Sequence, residues 1–229
     1  MSRTHLGKPV TGPDAPNWWF ARFLRATVAK LILAAYRTRV LGRENIPAGG
    51  GYILAGNHVS YLDPALLWCI APAPTHFMAR SNLFENGFLG WVLPRVWVFP
   101  VTRASADREA IQRATDFLVH GEPVGMFPEG TRRRAGTSVS EDQLGEAHAG
   151  VAFIAMRARV PVVPVGISGT DRALPVGAKW PRFPRVTISF NSPVRPEEFS
   201  EGGRKEKTAA MTAEIMRRIA VARDAAERE

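Results

Sequence analysis

The sequence contains a single cysteine and no long uninterrupted apolar segment. Because Cys69 has no second cysteine to pair with, an internal disulfide is excluded, which fits a reducing compartment. No stretch of about 18 consecutive apolar residues occurs, and this argues against a conventional transmembrane helix. Residues 1–16 are polar and lack the apolar core of a signal peptide. We expect this N-terminal segment to be disordered.

Patterns typical of several other function classes are also missing. The glycines at residues 49–51 are not followed by Gly-Lys-Ser/Thr, so they do not form a phosphate-binding P-loop. Residues 166–169 are Gly-Ile-Ser-Gly, which is not the Gly-x-Ser-x-Gly turn that carries a hydrolase nucleophile. No zinc-finger, helix-turn-helix or RNA-binding pattern is present. We therefore expect no nucleic-acid partner.

Acidic residues are scarce relative to basic ones. The 229 residues include 30 lysines and arginines and 21 acids, a formal net charge of +9. This balance favours a phosphate-rich partner, either an anionic membrane surface or a phosphorylated substrate. The hydrophobic content of 45% is enough to bury the core of one domain of ordinary size, which we place at residues 38–229.

Residues 17–37 form the most aromatic and cationic helical pattern. We predict one amphipathic helix that is capped at Asn17 and begins with Trp18, Trp19 and Phe20. Basic residues interrupt it too often for a membrane span, but they suit a helix that lies in the headgroup layer. The alternative is a helix that packs on the domain's own core, and helical spacing alone does not separate the two.

Short apolar segments alternate with helical patterns along the rest of the chain, which predicts an α/β domain with a mostly parallel sheet flanked by helices. Polar residues 135–145 are predicted as a loop, and residues 151–159 as a helix. The predicted strands are residues 52–55, 75–79, 97–103, 124–127, 160–170 and 185–190, and residues 38–47 are predicted as a further strand followed by a turn.

His58 and Asp63 lie where the first buried strand of the predicted domain gives way to a helix. Open α/β sheets bind their ligands at this carboxyl end of the strands. A neutral imidazole can take a proton from a hydroxyl when a carboxylate holds its other ring nitrogen. We therefore predict His58 as a general base oriented by Asp63. The alternative is structural: His58 caps a helix or packs in the core, and Asp63 forms a turn with Pro64.

Asn57-His58-x-x-x-x-Asp63 resembles the first motif of the glycerolipid acyltransferases, specifically of the lysophosphatidic acid acyltransferase (PlsC-like) family. Three further blocks are similar to those of the family and follow in the expected order. They are an apolar strand that ends in Arg103, the sequence Phe-Pro-Glu-Gly-Thr-Arg at residues 127–132, and Val-Pro-x-x-Pro-Val at residues 160–165. The resemblance implies the glycerol-3-phosphate acyltransferase-like fold.

The resemblance also implies substrate-binding roles. Arg103 and Arg132 would bind the acceptor phosphate, since a planar guanidinium makes two-pronged contacts with phosphate oxygens. Glu129 would accept a hydrogen bond from an acceptor hydroxyl or hold a phosphate-binding arginine. Gly130 would let the backbone approach the ligand, and Thr131 belongs to the same binding block.

The fourth block is linked in the family to the acyl-donor side, where Pro164 would shape the site. A proline inside an apolar strand removes a ladder donor, so we expect it at a sheet edge or a bulge. One departure from the family concerns His148, which stands where relatives often carry a lysine or arginine before a helix glycine. A basic contact at this point is therefore in doubt.

The implied reaction transfers a fatty acyl group from an acyl-CoA or acyl carrier protein thioester to the free hydroxyl of lysophosphatidic acid, giving phosphatidic acid. Because a thioester is already activated, we expect no metal and no cofactor. The implied location is the cytoplasmic face of the cell membrane, as a peripheral or monotopic protein. Open alternatives are a glycerol 3-phosphate or phosphoinositol-lipid acceptor, thioester hydrolysis, and a non-catalytic lipid-binding protein.

Overall fold

A computed structural model describes residues 18–72, 75–101, 106–128, 141–173 and 182–229. In this part of the chain, seven strands form one sheet in the order β1-β7-β6-β2-β5-β3-β4. The strands are β1 Arg39–Leu41, β2 Ile53–Gly56, β3 His76–Arg80, β4 Val98–Val101, β5 Val124–Met126, β6 Val162–Ser168 and β7 Thr187–Phe190.

The sheet is mostly parallel, as predicted. Strands β6, β2, β5, β3 and β4 run in the same direction. Strand β7 is antiparallel to β6, and the edge strand β1 is parallel to β7. The carboxyl ends of the five parallel strands therefore meet at one edge of the sheet, which is the edge that binds ligands in open α/β folds.

Helices cover both faces of the sheet. Alternate residues of β2 show this directly, because Leu54 packs in one apolar cluster while Ile53 and Ala55 pack in another. The Leu54 cluster includes residues of α2 and α3, and the other includes residues of α5, α6 and α7. The helices are α1 Trp18–Ala26, α2 Val28–Ala35, α3 Leu62–Ile70, α4 Gly87–Arg95, α5 Ala106–Val119, α6 Glu141–Ala158 and α7 Arg204–Glu227.

The N-terminal segment is two helices and not the single predicted one. The division falls at Thr27, whose hydroxyl donates a 2.7 Å hydrogen bond to the carbonyl of Phe23. The backbone of Thr27 departs from helical dihedral angles, with φ at −118° and ψ at −76°. One face packs on the domain, since Ala29 and Tyr36 are buried in the core. The expectations for residues 1–16 and for a cap at Asn17 lie outside the described residues.

Helix α6 begins at Glu141, so the predicted loop at residues 135–145 and the predicted start at 151 are both wrong for the described part. The buried residues that anchor the helix come later, at Val151, Ala152 and Ile154. A polar first half and an internal glycine therefore concealed one continuous helix.

Pro164 lies in an internal strand, so the predicted sheet edge is wrong. Strand β6 lies between β2 and β7. The irregularity lies opposite it: between the pairs Val162–Val194 and Val165–Phe190, two residues of β6 face three residues of the partner segment, while the pairing of β6 with β2 stays regular. The N–H of Asn191 donates to the Pro164 carbonyl at 2.9 Å, and the proline, which has no N–H, cannot return the bond.

Candidate active site

Asn57 joins the turn after β2 to the neighbouring strand β6. Its side-chain Nδ2 donates to the carbonyl of Ile167 at 2.9 Å, and its Oδ1 accepts from the N–H of the same residue at 2.7 Å. The side chain is buried and continues the β2–β6 ladder one step beyond the backbone pairing. The backbone of the next residue, His58, is thereby held at the carboxyl edge of the sheet.

His58 and Asp63 are in direct contact. His58 Nδ1 lies 2.9 Å from Asp63 Oδ2. The same carboxylate oxygen accepts the N–H groups of Val59 at 2.8 Å and Ser60 at 2.7 Å. Asp63 is fully buried in the first turn of α3, where the positive end of the helix dipole favours an anion. The carboxylate therefore both shapes the turn and orients the imidazole.

This geometry assigns the tautomer of the histidine. Because Nδ1 faces a carboxylate, it carries the proton, and Nε2 is left with a lone pair. No hydrogen bond joins Nε2 to a described residue, and the side chain keeps 17% of its surface exposed. An accessible base on a buried carboxylate is the arrangement that general-base catalysis requires. The catalytic role of His58 and Asp63 stays a prediction.

Phe127 lies against the face of His58. The ring centroids are 4.3 Å apart, and the ring planes differ by 24°. The phenylalanine follows directly on β5, the strand next to β2, and Phe77 of β3 packs behind it with ring centroids 6.4 Å apart. Stacking restricts the rotation of the imidazole about its bond to Cβ. The hydrogen bond to Asp63 and the contact with Phe127 thus fix the ring in two directions.

A family model described as Acyltransferase matches residues 37–168, a span that contains all four blocks and the His58–Asp63 contact. The chain belongs to the acyltransferase family. The resemblance inferred from the four blocks is confirmed, and so is the enzyme class.

Individual relatives agree with the family match. The acyltransferase is 31% identical over 196 residues to the 1-acyl-sn-glycerol-3-phosphate acyltransferase of Bacillus subtilis, a match that covers 85% of this chain and 92% of that one. It is 29% identical over 147 residues to a chloroplastic 1-acyl-sn-glycerol-3-phosphate acyltransferase of Brassica napus, covering 63% of this chain and 41% of that one. The crystal structure of the 1-acyl-sn-glycerophosphate acyltransferase PlsC from Thermotoga maritima superposes with a TM-score of 0.62 at 26% identity, covering 88% of this chain and 81% of that one.

Five of the substrate-binding residues predicted for the acyltransferase lie outside the described residues, and their roles stay predictions. They are Arg103, Glu129, Gly130, Thr131 and Arg132. The strands that lead to them are described: β4 ends at Val101, and the buried Pro128 follows Phe127 after β5. Both strands run parallel to β2 and end at the edge that carries His58.

Pro164 is described and pairs with Ala55 of β2, so it lies in the strand beside the one that leads to His58. It is buried, and its predicted part in substrate binding stays a prediction.

Cys69 is not suited to nucleophilic catalysis. Burial raises the pKa of its thiol to about 11, so the thiol stays protonated at neutral pH. Among the described residues, no group of three or more histidine, cysteine, aspartate or glutamate side chains is placed to hold a metal ion.

Neither the Asn57 bridge nor the Phe127 contact was predicted from the sequence. The available signals were an amide side chain immediately after a buried strand and an aromatic residue at the head of the third block.

Proposed function

We propose that this acyltransferase moves a fatty acyl group from an acyl thioester to the free hydroxyl of lysophosphatidic acid and so produces phosphatidic acid. The observation that carries the proposal is the contact between His58 and the buried Asp63 at the carboxyl edge of the sheet. The substrate class is supported by the relatives from Bacillus subtilis and Brassica napus, whose names specify this acceptor.

The proposed chemistry is direct transfer without an acyl-enzyme. His58 Nε2 takes the proton of the acceptor hydroxyl while the hydroxyl oxygen attacks the thioester carbonyl carbon. Asp63 stabilises the imidazolium that forms. The tetrahedral intermediate then expels the thiolate, which receives the proton from His58 and leaves as a free thiol. General-base catalysis of this kind contributes about 10² to 10⁴ in rate.

The acceptor phosphate would be bound by the arginines of the second and third blocks. Arg103 and Arg132 are the proposed phosphate ligands, and Glu129, Gly130 and Thr131 would complete the acceptor site. The net charge of +9 is consistent with an anionic acceptor and an anionic membrane. The donor would be a thioester of coenzyme A or of acyl carrier protein.

We also propose that the enzyme works at the anionic cytoplasmic surface of a membrane, as a peripheral or monotopic protein. Helices α1 and α4 present exposed apolar side chains: Phe23 is 61% exposed and Phe88 is 73% exposed. Phe20 and Trp91 join the two helices through ring centroids 5.2 Å apart, and the guanidinium of Arg95 lies 4.3 Å from the Trp91 ring. Aromatic and cationic side chains together suit the headgroup boundary. No described helix is long and apolar enough to cross a bilayer.

The test of the reaction is a coupled measurement of thiol release and phosphatidic acid formation by purified protein. His58→Ala should abolish both, while circular dichroism and melting temperature stay near those of wild type. His120→Ala is the matched control and should keep full activity, since among the described residues the His120 side chain bonds to the carbonyl of Asp116 in its own helix end. Thiol release without acyl transfer would identify a hydrolase, and faster transfer to glycerol 3-phosphate or a phosphoinositol lipid would identify a different acceptor.

The membrane proposal has its own test in the binding of the protein to anionic vesicles. Phe23→Ser combined with Leu31→Ser, both at exposed positions of the N-terminal helices, should weaken binding, and higher salt should weaken it further. Val119→Ser, at an exposed site on α5, is the control and should leave binding unchanged. Equal binding by all three proteins would contradict the proposed surface.

A further inference from the structure

Arg25 links the outermost helix of the fold to the helix that carries Asp63. Its Nη2 donates a hydrogen bond to the carbonyl of Ala71, the C-cap residue that follows α3. Its guanidinium also lies 5.6 Å from the centroid of the Trp68 ring on the same helix. The contact spans 46 positions in the sequence, from the last turn of α1 to the end of α3. It is the kind of contact that ties two elements together.

The carboxyl end of α3 needs such a partner. The last four carbonyls of a helix have no donor within the helix, and a cation there interacts favourably with the helix dipole. Arg43 makes a second, longer contact to the same end, from its Nη2 to the carbonyl of Ile70 at 3.4 Å. No ion pair joins Arg25 to a described acidic residue, and burial lowers the pKa of its guanidinium. The helix end is therefore what compensates this half-buried charge.

The two ends of α3 have different tasks. The helix has nine residues, Leu62–Ile70, and much of it is buried. Its first turn holds Asp63 against His58, and its last turn is held by Arg25. At about 1.5 Å of rise per residue, the carboxylate and the capped carbonyl are about 12 Å apart along one short helix. A short helix moves as a unit, so a shift at one end reaches the other.

We propose that Arg25 is a positioning residue for acyl transfer: by capping the carboxyl end of α3, it holds the Asp63 carboxylate within hydrogen-bonding distance of His58. The inference rests on the proposed function. Helix α1 then has two roles. Phe23 on its outer face is exposed, and Arg25 on its inner face contacts the end of α3.

The test is steady-state kinetics of Arg25→Gln and Arg25→Lys, with two forms of the acceptor. One is a short-chain lysophosphatidic acid in free solution, and the other is lysophosphatidic acid in anionic vesicles. Arg25→Gln should lower kcat about tenfold with both forms, within the range that a small displacement of catalytic groups costs, while KM stays within about twofold. Arg25→Lys keeps a charged donor and should restore most of kcat. Lys30→Gln, which removes an exposed cation from α2, is the control and should change kcat by less than about twofold.

A double-mutant cycle with Asp63→Asn separates positioning from a merely structural role. If Arg25 acts through the carboxylate, Arg25→Gln should lower the residual kcat of Asp63→Asn by less than about twofold. A structural role would lower kcat by the same factor in both backgrounds. All rates are referred to folded protein, measured by circular dichroism. If Arg25→Gln does not fold, the cycle is run with Arg25→Lys, whose smaller loss of kcat should likewise disappear in the Asp63→Asn background.

Three results overturn the inference while leaving the proposed function intact. They are wild-type kcat in Arg25→Gln, a loss of rate confined to vesicles, and an equal loss in the Asp63→Asn background. A wild-type protein that makes no phosphatidic acid overturns the proposed function and this inference with it.

Discussion

Replacing Asp63 with asparagine tests the candidate site most directly, because the change removes a charge and almost no volume. Oδ2 of the carboxylate accepts three hydrogen bonds, from His58 Nδ1 and from the N–H groups of Val59 and Ser60. An amide oxygen in that position can accept all three. The histidine tautomer and the turn should therefore persist, and the main loss should be electrostatic.

The size of the loss follows from the geometry of the pair. With the charges about 4 Å apart and an effective dielectric constant of about 20, a carboxylate stabilises an imidazolium by about 4 kcal/mol. Since about 1.4 kcal/mol corresponds to a factor of ten in rate, kcat should fall about a thousandfold. Stability should fall as well, because the new amide nitrogen takes the place of Oδ1, which is buried without a hydrogen-bond partner among the described residues. A buried unpaired donor costs about 1–3 kcal/mol.

The assay is single-turnover thiol release with the enzyme in excess, combined with thermal melting. Asp116→Asn, at an exposed site on α5, is the matched control and should keep the wild-type rate. A kcat within about threefold of wild type in folded Asp63→Asn would refute the assignment of Asp63 as the group that supports the imidazolium. A large loss of rate with an unchanged melting temperature would refute only the argument about Oδ1.

Three further predictions concern the turn, the packing of the sheet and a surface ion pair. Asn57→Ala should lower both kcat and the melting temperature, because it leaves the N–H and carbonyl of a buried β6 residue unpaired; full kcat would contradict the bridge. Gly166→Ala should unfold or strongly destabilise the protein in denaturant titration, since a Cβ there would lie 2.1 Å from the backbone of α7. Gly150→Ala is the control: this helix position has open space around it, so the substitution should raise stability by about 1 kcal/mol. Hydrogen bonds from Arg217 lower the pKa of Glu214 to about 2, from an ordinary value of 4.5. The stability it contributes is present above about pH 4.5 and lost as the pH falls towards 2, so the melting temperatures of wild type and Glu214→Gln should differ at pH 7 and converge in that window.

Local patterns predicted the strands well, because a strand that is covered by helices on both faces consists of a short run of apolar residues. The segments at residues 52–55 and 75–79 lie within one residue of β2 and β3. Helix ends were predicted less well. The break at Thr27 is a distortion of the backbone at one residue, and the early start of α6 depends on residues whose polarity is equally typical of a loop.

In the candidate site, too, some features could be predicted from the local sequence and others could not. The spacing of His58 and Asp63 placed them at a strand end and at the first turn of the next helix, which is close enough in the chain for local structure to bring them together. The resemblance added the family and the other blocks. The position of Pro164 needed the strand order, because the same local sequence can occur in an edge strand or in an internal one.

The sequence by itself determined the chemical groups, the order of the four blocks and the family, since all of these are carried by residues a few positions apart. Only the tertiary structure decided that Asn57 bonds to Ile167, 110 positions away, that Phe127 stacks on His58, and that Arg25 caps the helix of Asp63. The physical reason is that each of these contacts depends on which strands and helices become neighbours, and that choice is made by the packing of the whole core and not by any local pattern.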